Sequence, residues 1–217
     1  MIKAFIFDLD GVLVDTAKYH FKAWHRLAKS LGIDFTEADN EELKGVSRKE
    51  SLEKILEWGN KTVSPEKFED LMVQKNQWYL ELMQNMDQNE TLEGVREFLD
   101  ECAQLKLKIA LGSASKNAQA ILERTKLTKY FDAIIDGTKT TESKPHPQVF
   151  LMGAEALDVK PENAVVFEDS IAGIQAAQKG NFKSVGVGSP AVLKGADIFV
   201  KGLHEHTASH LINELNL

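Results

Sequence analysis

The sequence predicts an α/β fold: a parallel sheet covered by helices on both faces, with a small helical domain inserted after its first strand. Three observations lead there. The chain begins with an apolar run, Ala4-Phe5-Ile6-Phe7, that ends at two acids one residue apart, Asp8 and Asp10. From Asp15 to Asn89 the apolar residues recur only at helical spacing. Beyond Thr91, strand-like and helix-like segments alternate, which is the pattern of a parallel sheet with crossover helices.

An apolar run bounded by polar residues and glycine reads as a short strand buried on both faces, so its carboxyl end bears the acids. Phe21, Trp24, Leu27, Ala28 and Leu31 then fall on one helix face, and Gly32 is placed as a stop. Ser47 with Glu50 three residues later has the form of a capping box, followed by Leu52, Ile55 and Leu56. Ser64-Pro65 opens a further helix carrying Phe68, Leu71, Met72, Tyr79, Leu82 and Met83. These segments assign residues 15–90 to a helical cap domain and residues 1–14 with 91–217 to the core domain.

In the core, Val95, Phe98, Leu99 and Cys102 mark a helix, and a strand over 107–111 ends in Gly112-Ser113-Ala114-Ser115. A helix through Ile121 and Leu122 precedes a strand over 133–135 and a helix containing Val149, Phe150, Ala154 and Leu157. The strand over 164–167 ends in Glu168-Asp169, and a helix over 170–179 leads to strands over 184–187 and 198–200. A terminal helix holds Leu211, Ile212 and Leu215.

The chain has 217 residues, enough for a core domain with an insertion, and its 26 basic against 33 acidic residues give a net charge of −7. That balance argues against nucleic acid or an anionic membrane as the main partner. There is no signal-peptide pattern and no apolar run as long as a membrane span, so a soluble, cytoplasmic protein is expected. A monomer is expected as well, since no extra apolar segment asks for a partner. Cys102 is the only cysteine and reads as a small apolar filler. His146 receives no role, and the loosely spaced His204, His206 and His210 fit a solvated C-terminal helix better than a metal tract.

Three predicted strands end in polar clusters that a shared sheet would bring together. Asp8 and Asp10 could simply end a strand in water, but two ionised acids side by side ask for a metal ion or a proton. Ser113 and Ser115 could be helix caps or, with free backbone N–H groups, a phosphate cradle. Glu168 and Asp169, with Asp8, offer the hard oxygen ligands that Mg²⁺ prefers. Lys144, held in a loop by Pro145 and Pro147, is either a solvated loop charge or a cation for the same site.

Asp8-Leu9-Asp10-Gly11-Val12-Leu13, Ser113, Lys144-Pro145 and Glu168-Asp169 resemble the four motifs of the haloacid dehalogenase superfamily, whose Rossmann-like core mostly transfers phosphoryl groups through an aspartate. The helical insertion resembles the small cap of one subclass, and the resemblance spans essentially the whole chain. Thr16, His20, Trp24, Leu43-Lys44-Gly45-Val46-Ser47-Arg48, Ser51-Leu52, Lys75-Asn76 and Ser113-Ala114-Ser115-Lys116-Asn117 further resemble members that move a phosphoryl group between positions of a hexose.

The resemblance implies Asp8 as nucleophile and Asp10 as general acid and base. It implies Mg²⁺ held by the Asp8 carboxylate, the Asp10 carbonyl, Glu168 and Asp169, and Ser113, the Ala114 N–H and Lys144 on the phosphoryl oxygens. Arg48 would anchor a distal phosphate with Ser115, Lys116 and Asn117, although by position alone it is a solvated charge near a helix start. Lys44, Gly45, Val46 and Ser47 would form the closing loop near Ser51, with Lys75 facing the sugar. His20 and Thr16 share a helix face on the hinge side, where a hydrogen bond could couple closure to Asp10. Trp24 is grouped with these binding residues, although its place in the apolar stripe fits cap core. The implied reaction interconverts β-D-glucose 1-phosphate and glucose 6-phosphate, primed by β-glucose 1,6-bisphosphate. A sugar-phosphate phosphatase would share every core residue, and a non-catalytic binding module would need none of them intact.

Overall fold

The computed structural model describes residues 1–216. β1 (Ala4–Phe7) lies within a six-stranded sheet with β2 (Lys108–Gly112), β3 (Ala133–Ile135), β4 (Ala164–Glu168), β5 (Lys183–Val187) and β6 (Ile198–Val200). The order is β3-β2-β1-β4-β5-β6, and each neighbouring pair is parallel. Phe7 is in register with both Leu111 and Phe167, so the polar residues that follow these three strands leave the same edge. The strand order reverses between β1 and β4, which opens a crevice where open α/β sheets place their ligands.

Alternation along β1 feeds two cores. Phe7 stacks on Phe167 at 4.6 Å between ring centres, and Phe98 packs on both Phe5 and Phe7. This face is covered by α5 (Val95–Gln104), α6 (Ala118–Arg124) and α9 (Ala208–Leu215). Ala4 and Ile6 point the other way, towards Phe150, Val166 and the helices α7 (Gln148–Ala156) and α8 (Ile171–Lys179). Burial on both faces is why the strands are continuous apolar runs. Each fully buried Phe or Leu here contributes about 1.5–3 kcal/mol of hydrophobic stabilisation.

Between β1 and α5 the chain forms α1 (Ala17–Ser30), α2 (Glu37–Glu41), α3 (Arg48–Trp58) and α4 (Pro65–Leu82), which share an apolar cluster of their own around Trp24, Leu27, Leu52, Ile55 and Leu71. The Ser47 capping box forms: the Glu50 N–H donates to the Ser47 hydroxyl at 3.3 Å and the Ser47 N–H to Glu50 at 3.2 Å. Ser64 caps α4, with Pro65 in its first turn. The outgoing and returning connections run together, the Asp15 N–H donating to the Glu90 carbonyl at 2.9 Å beside a Val14–Thr91 bridge.

Differences from the sequence reading are local. α2 is too short to show a period and is set by its own Thr36–Asp39 capping box. β2 begins and ends one residue later than expected, and β5 begins one earlier, because Lys108 pairs with Ala4 and Lys183 with Val165. No described helix is long and apolar enough to cross a membrane.

Candidate active site

Asp8 follows β1, Ser113 follows β2 and Glu168 ends β4, so strand pairing alone assembles them. Lys144 is buried, and its ammonium donates to Asp8 Oδ1 at 2.6 Å and to Glu168 Oε1. Glu168 is fixed from its other side by Ser170, whose N–H and hydroxyl donate to Oε2 at 2.9 and 2.8 Å. The same hydroxyl accepts the Gly173 N–H and so caps α8.

Asp8, Glu168 and Asp169 each bring a carboxylate oxygen within 4.8 Å of the other two, the one such acidic group among the described residues. These are hard oxygen donors of the kind a divalent cation takes. The packing accommodates them closely, since a Cβ on Gly173 would strike the Glu168 carboxylate. The residues present therefore fit a bound divalent metal.

Burial pushes the Asp8 carboxyl well above the usual carboxylate range, against the pull of Lys144. Asp169 rises to about 7 through burial and the neighbouring Glu168 charge. Burial opposes the charge on Lys144, but Asp8 and Glu168 outweigh it and push its pKa up. Such a cluster carries more negative charge than Lys144 balances, which a metal cation would relieve.

Asp10 faces the same cavity, and the buried Thr16 at the start of α1 donates its hydroxyl to Asp10 Oδ1. Burial raises the Asp10 pKa, and the Thr16 hydrogen bond partly offsets that.

The opposite wall comes from the inserted helices and is cationic. Lys75, 2% exposed, lies 3.0 Å from His20 Nδ1, with its ammonium 4.5 Å from the centre of the Trp24 ring and 4.9 Å from that of Tyr79. Burial, then the Arg48 charge, push the Lys75 pKa well down, and burial with Lys75 and Arg48 does the same to His20. Arg48, the first residue of α3, lines the cavity and forms no ion pair among the described residues. Between the two walls lies a cavity of about 500 Å³.

The loop before α3 closes this space. Lys44 reaches Glu41 at 2.9 Å and Asp169 at 3.4 Å. Gly45 has φ 75°, and a Cβ there would strike the Ser170 hydroxyl, so only glycine lets the loop come this close to the core.

The remaining expected residues fall around the same space. Val46, Ser47, Ser51, Ser113, Ala114, Ser115, Lys116 and Asn117 all line the cavity. The Ser113 hydroxyl accepts the Ser115 N–H at 3.1 Å, and Asn117 donates to Asn76 at 3.0 Å, a link from the core to α4. Trp24 lines the cavity but is buried in the cluster of the inserted helices. Thr16 and Glu168 do not line the cavity, but each is bonded to a residue that does, Asp10 and Lys144 respectively. The expected hydrogen bond to Asp10 comes from Thr16, whereas His20 turns to Lys75.

Sequence reasoning passed over Asn40, Ser170 and the segment 137–143, of which Gly137 and residues 140–143 line the cavity. For Ser170 there was a signal: a hydroxyl directly after Glu168-Asp169 and three residues before Gly173, the spacing of a helix cap. Asn40 had none, because a polar residue within a short unpatterned segment carries no sign of burial.

Comparison with known proteins agrees with this geometry. The family profile of haloacid dehalogenase-like hydrolases matches residues 5–187. The chain is 41% identical to β-phosphoglucomutase of Bacillus subtilis over 98% of its length and 95% of the relative's. It is 34% identical to the phosphorylated carbohydrates phosphatase of Thermotoga maritima over 85% of its length and 84% of that protein's. A crystal structure of β-phosphoglucomutase from Clostridium difficile superposes with a TM-score of 0.96 at 43% identity, covering 100% of this chain and 98% of the other. Family membership and the acidic cluster together imply a metal cofactor. With its acid-tipped central strands, buried lysine and helical insertion in the matched span, the chain belongs to the haloacid dehalogenase-like hydrolase family.

Proposed function

We propose that the chain is a Mg²⁺-dependent β-phosphoglucomutase, interconverting β-D-glucose 1-phosphate and glucose 6-phosphate through β-glucose 1,6-bisphosphate. The observation that carries this reading is the two-ended cavity. The core side holds the carboxylates and Lys144, and the side formed by the inserted helices holds Arg48 and Lys75, neither of which forms an ion pair among the described residues. A phosphatase needs only the first end, whereas a mutase must also hold the second phosphate of a bisphosphorylated sugar.

In this reading residues 15–90 are the cap, and residues 1–14 with 91–217 are the core. Asp8 attacks the phosphorus as the bond to the sugar oxygen breaks, giving an aspartyl phosphate, so that one hard transfer becomes two easier ones. Asp10 gives a proton to the departing oxygen and takes one from the hydroxyl that later receives the phosphoryl group. Ser113, the Ala114 N–H and Lys144 hold the transferring oxygens. Mg²⁺, held by the Asp8 carboxylate, the Asp10 carbonyl, Glu168 and Asp169, supplies charge neutralisation for the transfer when bound.

Arg48 presents a planar fork to the distal phosphate, with Ser115, Lys116 and Asn117 beside it. Lys44, Gly45, Val46 and Ser47 close the loop over the sugar, and Thr16, His20, Trp24, Ser51 and Lys75 shape its cap side. The closed loop keeps water from the aspartyl phosphate, which favours transfer to sugar. The enzyme acts as a monomer in the cytoplasm, the compartment that retains charged hexose phosphates.

The test supplies β-glucose 1-phosphate, Mg²⁺ and a trace of the bisphosphate, then follows glucose 6-phosphate and free phosphate separately. Glucose 6-phosphate in large excess over phosphate is expected. Phosphate release without glucose 6-phosphate would make the protein a phosphatase, and neither product would make it a binding module.

A further inference from the structure

We propose that Asn40 reads one hydroxyl of the sugar ring and so sets which hexose phosphate the cavity accepts. The inference rests on the mutase reading above and extends it to a residue with no part in the phosphate contacts.

Asn40 lies on α2, which is pinned at both ends. The Asp39 N–H donates to the Thr36 hydroxyl at 3.3 Å in the capping box, and Leu43 just beyond the helix is buried. Asn40 is itself only 7% exposed and lines the cavity. Its side-chain amide forms no hydrogen bond with the described residues, yet it is not among the sealed, unpartnered atoms, which are His20 Nε2, Tyr79 Oη and Thr128 Oγ1. Asn40 is thus largely withdrawn from bulk solvent at a position that lines the cavity. A buried amide without a partner costs free energy that a ligand group would recover.

The neighbouring groups indicate the chemistry of that ligand group. Ser51 donates to the Ser47 carbonyl, Asn117 donates to Asn76, and His20 Nδ1 faces Lys75. Arg48 and Lys75 are donors only and suit phosphate oxygens. A carboxamide both donates and accepts, as a hydroxyl does, so Asn40 matches a hydroxyl and leaves the phosphates to the cations.

The experiment measures kcat/KM for β-glucose 1-phosphate and its 2-deoxy, 3-deoxy and 4-deoxy analogues, with wild type, Asn40→Ala and Asn40→Asp. Asn40→Ala is expected to lose about tenfold on glucose and on two of the analogues, as for one lost hydrogen bond. On the third, which already lacks the hydroxyl in question, the loss should vanish. Equal losses on all four sugars, or none on any, would overturn the assignment. If Asn40→Ala does not fold, as judged by its melting temperature, Asn40→Asp against wild type gives the same comparison. A wild type that converts none of the four sugars would defeat the mutase reading itself, an outcome distinct from equal losses.

Discussion

Thr16 donates its hydroxyl to Asp10, so the residue just before α1 holds the side chain proposed as acid and base. Thr16→Val keeps the shape and removes the donor. Loss of a hydrogen bond to a charged group costs about 1.5–3 kcal/mol, so kcat should fall roughly 10- to 100-fold with a smaller change in KM. Thr16→Ser should recover most of the rate. Steady-state kinetics of the three proteins checks this, and a loss confined to KM would remove the positioning role.

Arg48 and Lys75 provide the cationic end of the cavity. Arg48→Ala should cut kcat/KM for the sugar phosphate by about 10- to 100-fold, the range for one charged hydrogen-bonding group. Hydrolysis of acetyl phosphate, which has no second phosphate, should change much less. Equal losses in both assays would show that the distal phosphate lies elsewhere.

Asp8, Glu168 and Asp169 repel one another, and Lys144 and Lys44 offset only part of that repulsion. Mg²⁺ at 100 times its dissociation constant should therefore stabilise the fold by about 2.7 kcal/mol, seen as a rise in melting temperature. Chelation should reverse the rise and abolish turnover. In Asp169→Asn the Mg²⁺-dependent rise should shrink or vanish, and an undiminished rise would place the metal elsewhere.

Far from the site, Glu101 of α5 accepts the Ala208 N–H at 2.8 Å and both the N–H and hydroxyl of Ser209, at 3.2 and 2.7 Å. Burial opposes the charge, but these donations outweigh it and hold the carboxyl below its ordinary value of 4.5. The sign follows: the folded state binds this proton less readily than the unfolded chain, so the stabilisation is present above the ordinary value. It is lost as pH falls through that value towards the lower folded one. Glu101→Gln should cost about 1 kcal/mol at neutral pH, with the gap from wild type closing as pH falls below the ordinary carboxyl value. Thermal denaturation across that range tests it.

Where the physics is local, the sequence was readable. The apolar run before Asp8, the Ser47–Glu50 box and the Ser64-Pro65 start each depend on neighbours within a few residues, and each forms as expected. The acid, serine and lysine clusters were also visible, because they sit at strand ends or in the loop that a parallel sheet gathers at one edge. Short α2 left no periodic trace, and the role of Ser170 beneath Glu168 became visible only once the strands had paired.

By itself, then, the sequence determined the α/β frame, the inserted helices and the inventory of reacting groups, since these follow from hydrophobic period, caps and residue chemistry. Tertiary packing alone decided which groups are spent on one another. Lys144 answers to Asp8 and Glu168, Thr16 to Asp10 and His20 to Lys75, while among the described residues Arg48 forms no ion pair and the Asn40 amide no hydrogen bond. The reason is that a hydrogen bond needs its two partners within about 3 Å in the right orientation, and residues far apart in the chain acquire that only when the fold closes.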